Sequence, residues 1–164
     1  MMAKRRWSSA LTTMRTPSAI LMASLWALST LAPAQQHTKP WVALDYRDPL
    51  TVQAGSAIYA DECAVCHGRS LEGQSNWRRR DSHGYLPAPP HDETGHTWHH
   101  SDQVLFEMVK YGPKVVAGED YKTRMPAYWG ILSDPEILVV LSFIKSSWPE
   151  RIIKMHDEQA NRSQ

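Results

Sequence analysis

The chain has 164 residues, enough for one domain plus a leader. Its 42% hydrophobic and 21% charged residues are those of an ordinary globular protein, which excludes a disordered or fibrous chain. The formal charge of +1 hides two unlike parts: beyond residue 34, 14 Lys and Arg face 17 Asp and Glu, a net charge of −3, which excludes a nucleic-acid partner.

Residues 1–34 read as a signal peptide. Lys4, Arg5, Arg6 and Arg15 form a basic start without acids, Ala19 to Leu31 is an apolar run, and Ala32-Pro33-Ala34 matches a small-residue cleavage site before Gln35. The apolar run is short for a bilayer span; contact with a membrane is expected only if the leader stays uncleaved as a tether. Residues 35–50 read as a linker or N-terminal arm, broken by Lys39-Pro40 and Asp48-Pro49, with Trp41, Leu44 and Tyr46 laid against the domain surface.

From Thr51 the pattern turns helical. Val52, Ala54, Ala57, Ile58, Tyr59 and Ala60 recur at roughly the 3.6-residue period and lead into Cys63-Ala64-Val65-Cys66-His67. Gly55 weakens a helix interior, but it also allows a second helix to approach closely. C-x-x-C-H is the covalent attachment signature of a c-type haem. Two thiols about one turn apart reach the two vinyl groups of one porphyrin, and the adjoining imidazole lies under the ring. A zinc site would need two further ligands, and a thioredoxin-like pair would need a βαβ pattern. Both cysteines of the chain are spent here, so no structural disulfide remains.

Gly68 to Asp92 is a long loop rich in Gly, Pro and polar residues, of a length suited to wrapping a large flat cofactor. Its run Arg78-Arg79-Arg80 reads as a solvated surface, or as partners for haem propionates or an acidic protein. In the segment 91–100, His91, His96, His99 and His100 crowd together with Asp92, Glu93 and Trp98. It reads as a structured loop, with a copper or zinc site as the alternative, since imidazole and carboxylate suit those ions. Ser101 is placed to cap a helix carrying Val104, Leu105, Met108 and Val109, which Gly112-Pro113 ends. Met108 lies on that stripe and reads as core. Met125, by contrast, precedes Pro126 in an irregular stretch and is pushed to extended backbone; delivery of its sulfur to iron explains it. Ser133-Asp134-Pro135-Glu136 is a capping box opening the last main helix, whose Ile137, Leu138, Val140, Leu141, Phe143 and Ile144 should pack across the first. Beyond Pro149, a second short helix is expected with Ile152, Ile153 and Met155 on one side.

These pieces resemble the class I monohaem c-type cytochromes of bacteria. The likeness covers about residues 51 to 150. It rests on Cys63-Ala64-Val65-Cys66-His67-Gly68, the turn Pro87-Ala88-Pro89-Pro90, Arg124-Met125-Pro126-Ala127-Tyr128 and the opening Leu132-Ser133-Asp134 with Glu136-Ile137. The resemblance implies an all-α fold, a class I cytochrome c fold of three to four helices wrapped around one covalently bound haem c. The domain would span 51–150, followed by a C-terminal helical extension and tail at 151–164. It implies thioethers at Cys63 and Cys66, His67 and Met125 as axial iron ligands, and a carbonyl of the Pro87–Pro90 turn accepting from His67. With both axial positions filled, the expected role is a periplasmic electron carrier and not an enzyme, meeting a redox-protein donor and acceptor transiently. Two other readings compete: a haem sensor or peroxidase-like enzyme with a displaceable Met, and a copper-handling cytochrome using the His-rich loop.

Overall fold

The structure, a computed structural model, describes residues 42–162, with side chains through Gln159. The expected signal peptide, and Trp41 in the arm, lie outside the described residues. Helix α1 spans Pro49–Ile58, a π turn spans Tyr59–Cys63 and α2 spans Ala64–His67. A 3₁₀ turn, Thr97–His99, precedes α3 (Asp102–Tyr111), α4 (Lys114–Ala117), α5 (Asp134–Ser146) and α6 (Glu150–Arg162). Four of these helices have ten residues or more, and α2 and α4 are single turns. Among the described residues there is no strand.

Local chemistry sets the helix starts. Asp48 caps α1 by accepting from the Thr51 amide at 2.8 Å, and Pro49 follows in the first turn, where a missing N–H costs nothing. The helix thus begins two residues before the expected Thr51. Ser101 accepts from the Val104 amide at 3.3 Å to cap α3, which stops at Gly112. Ser133 and Glu136 form the reciprocal capping box of α5, Glu136 bonding the Ser133 amide at 2.8 Å. Pro149 then separates α5 from α6.

The core sits where α5 crosses α1. Ile137, Val140, Leu141 and Ile144 of α5 are buried with Tyr59, Leu105 and Trp148, each large apolar side chain contributing on the order of 1.5–3 kcal/mol. The crossing is tight at Gly55. A Cβ there would lie 2.2 Å from the Val139 carbonyl oxygen and 2.7 Å from the Phe143 Cβ. Because the obstacle is backbone, Gly55→Ala forces the helices apart and should lower the unfolding free energy by about 1–3 kcal/mol in denaturant titration. An unchanged midpoint would contradict this crossing.

Two expectations outside the central domain change. Leu44 is buried in the core and Val42 and Tyr46 pack against it, so the described part of the N-terminal arm is packed more deeply than a surface contact. On α6, Ile152 and Ile153 are buried but Met155 is about half exposed. The third member of the inward stripe is His156, four residues after Ile152, at 1% exposure.

Candidate haem-attachment site

Cys63 closes the π turn and Cys66 and His67 lie on the next turn, so the motif comes just after a local widening of the helix. Such single π turns insert one extra residue and change the rotational phase of the helix beyond them. Both cysteines are free thiols, Cys66 exposed and Cys63 half-buried. Burial, with help from Glu62 and Cys66, pushes the Cys63 thiol up to about 11. Tyr59 anchors the motif from below, its hydroxyl donating to the Gly68 carbonyl at 3.0 Å.

His67 is buried, and its Nδ1 donates to the Pro89 carbonyl at 2.8 Å. A carbonyl can only accept, so Nδ1 carries the proton and Nε2 is left with its lone pair. Burial holds this imidazole below its ordinary value, against the pull of the Pro89 bond, so the neutral, ligating form is favoured. The carbonyl is delivered by a close backbone approach. Gly73, at φ 67°, lies so near the proline turn that a Cβ would meet the Pro90 nitrogen at 2.4 Å. The Gly73 amide in turn bonds the His67 carbonyl at 2.7 Å. Loop and motif are thereby tied at two points.

Met125 lies on the irregular stretch between α4 and α5, half-buried, its amide donating to the Thr123 hydroxyl at 3.0 Å. That stretch is clamped on both sides. Arg124 pairs with Asp81 at 2.8 Å and lies 4.2 Å over the Tyr85 ring. Tyr128, three residues on, is buried; its hydroxyl donates to the Glu62 carbonyl at 2.7 Å, beside Cys63. Its amide bonds Val109 of α3 at 3.0 Å. Sequence reasoning did not single out Tyr128 or Asp81 for this, since neither partner is near in the chain.

The Asp81 clamp has a defined pH range. The Arg124 guanidinium, then the Tyr85 and His83 amides, hold the Asp81 carboxyl down to about 2 from an ordinary 3.8. A depressed acid stabilises above its unfolded value and stops doing so as pH falls through its folded one. The difference in unfolding midpoint between wild type and Asp81→Asn should therefore be constant well above pH 4, shrink below it, and be lost only as pH falls through about 2. A difference that persists there would show that the carboxylate is not what holds the loop.

The His-rich segment is shared out among ring contacts. His91 stacks on His67 at 4.0 Å, its Nδ1 2.8 Å from the Thr97 hydroxyl. Desolvation first, then His67 and His96, hold it well below the ordinary imidazole value. His96 stacks on Trp77 at 5.3 Å and meets His100 edge-on at 5.6 Å, while His99 stacks on Trp98 at 3.7 Å. Among the described residues no three His, Cys, Asp or Glu side chains converge on a metal position, so the copper or zinc alternative has no donor set here. Arg78 lies 4.0 Å over Trp77 and Arg80 bonds the Gly84 carbonyl at 2.6 Å; these arginines are engaged with the loop itself.

Among the described residues, one buried side-chain polar atom has no hydrogen-bond partner: the Trp98 indole Nε1. Leaving a buried donor unmade costs about 1–3 kcal/mol, so a non-protein acceptor is called for. A haem presents two carboxylates, which only accept. Two free thiols, one imidazole with its Nε2 free for a metal, and an unspent buried donor together fit that group.

Such a site fits the class of proteins that hold a haem covalently. A comparison with protein-family profiles matches residues 52–148 to the family described as Cytochrome c. The chain belongs to the cytochrome c family, and its helical, strand-free described region is that family's all-α fold. Neither the curated proteins nor the solved structures yield a match.

Proposed function

We propose that this chain is an exported, periplasmic one-electron carrier whose haem iron is held by His67 on one side and Met125 on the other. The observation that carries it is the firm positioning of both residues. His67 is fixed in one tautomer by Pro89, and Met125 sits between the Arg124–Asp81 and Tyr128–Glu62 clamps. The bound haem supplies reversible one-electron Fe(III)/Fe(II) chemistry. The chain's own residues set its terms. Cys63 and Cys66 retain the cofactor. His67 and Met125 together close both axial positions to outside ligands. The Met125 thioether, a soft donor, favours the reduced state, and burial disfavours the additional positive charge of the oxidised one. The hydrogen bonds that tie His67 to Pro89 and the Met125 stretch to Glu62 and Val109 keep reorganisation small. Val65, between the two thiols, is 84% exposed; a small apolar spot of this kind suits brief docking of a redox protein.

The test is a pyridine haemochrome, intact mass and redox titration of the mature protein. One haem bound through two thioethers, low-spin in both states and unreactive toward carbon monoxide, supports the carrier. High-spin ferric haem or rapid carbon monoxide binding would replace it with the sensor or peroxidase-like reading.

A further inference from the structure

The family match ends at residue 148, and α6 begins at Glu150. Yet α6 reaches into the domain. His156 is buried, its Nδ1 donates to the Trp98 carbonyl at 3.1 Å and its Nε2 faces Asp102 Oδ1 at 2.7 Å. One turn later, Gln159 donates to the His99 carbonyl. So α6 grips the main chain of both residues in the Trp98–His99 ring stack. We propose that α6 fixes the Trp98 indole through His156, and that His156 is thereby a positioning residue for the haem's reduction potential.

The imidazole does something an apolar residue would not. Ile152 and Ile153 suffice to bury the inner stripe of α6. A His on that stripe must have both nitrogens satisfied. Here one nitrogen holds the Trp98 carbonyl and the other is satisfied by Asp102, so the Trp98 side is the one that fixes the turn. That turn is adjacent to the proximal side. Thr97 contacts His91 at 2.8 Å and the Pro90 carbonyl at 3.4 Å, and His91 stacks on His67. The Trp98 Nε1, buried and without a partner among the described residues, is the group whose aim this arrangement controls. A donor to a haem carboxylate withdraws negative charge from the cofactor and favours the ferrous state. Losing or misaiming it favours the ferric state and lowers the potential. The inference rests on the haem-carrier reading above.

The experiment is a redox titration of the full mature holoprotein and of His156→Asn, His156→Gln, Trp98→Phe and the Trp98→Phe/His156→Gln double variant. An Asn amide reaches the level of Nδ1 and keeps a donor for the Trp98 carbonyl. A Gln amide reaches the level of Nε2 and keeps only the Asp102 side. Positioning through Trp98 predicts a lowered midpoint for His156→Gln and Trp98→Phe and a wild-type midpoint for His156→Asn. It also predicts no further shift when His156→Gln is added to Trp98→Phe. Equal shifts for Asn and Gln, or a His156→Gln shift undiminished in the Phe background, would overturn it, as would a wild-type midpoint for Trp98→Phe. If His156→Gln does not fold, the Trp98 indole proton of the wild type decides. A slowly exchanging resonance that moves between oxidation states supports the proposal; exchange at the rate of an exposed indole defeats it. Haemochrome and mass separate the two levels: haem-free wild type sinks the carrier reading and this inference together, whereas a loaded wild type with an unmoved Trp98→Phe sinks this inference alone.

Discussion

Met125→Ala should leave the haem attached, lower its reduction potential and open the iron to exogenous ligands. On the proposed ligation the thioether does two separate things. It favours the reduced state as a soft donor, and it occupies the position an outside ligand would need. Attachment depends on neither, since Cys63 and Cys66 lie on the helix side of the site and the Met stretch on another segment. The fold should survive as well, because the stretch stays tied at Arg124–Asp81 and at Tyr128 to both Glu62 and Val109. The readouts are a redox titration, carbon monoxide or imidazole binding and the weak far-red thioether-to-iron absorption band. An unchanged potential with an intact low-spin spectrum would remove Met125 from the site.

The largest effect on stability is expected at Asp102, where Asp102→Ala should lower the unfolding free energy by about 3 kcal/mol. Lys145 is 3% exposed. Its ammonium lies 3.4 Å from both Asp102 oxygens, 2.8 Å from Asp157 and 4.9 Å over the Tyr46 ring. Removing Asp102 leaves Lys145 to Asp157 alone, whose side chain is 45% exposed, and strips His156 Nε2 of its partner. The cost is that of a buried charge left with one partner in place of two, together with the unpaired His156 nitrogen. Adding Lys145→Met should therefore restore part of the loss, because the buried ammonium left with only the half-exposed Asp157 is gone. Denaturant unfolding of the holoprotein measures both steps. A double variant no more stable than Asp102→Ala would place the cost in packing instead.

This network also shows where sequence reading stops. Asp102 stands in the first turn of α3 and Lys145 in the last turn of α5. Their contact spans 43 positions, and the His156–Asp102 bond spans 54. Nothing in the pattern around either residue marks it as buried. The same holds for the His-rich segment: it reads as a structured loop, but only the fold shows that its rings stack against His67, Trp77 and Trp98. Met155 and His156 differ by one position along α6, and only the docking angle of that helix decides which faces inward.

The sequence by itself determined whatever is decided within a few residues. The Cys63–His67 spacing, the caps at Ser101 and Ser133, the stop at Gly112 and the smallness of Gly55 all act through bonds and sterics one turn away. Tertiary structure alone decided which proline carbonyl holds His67, which hydroxyl ties the Met125 stretch to Glu62, and which charges of α3, α5 and α6 meet in the interior. Caps and turns are set by neighbours along the chain. Buried polar partners are set by how helices dock, because a group taken out of water accepts whatever donor or acceptor the packing brings to it.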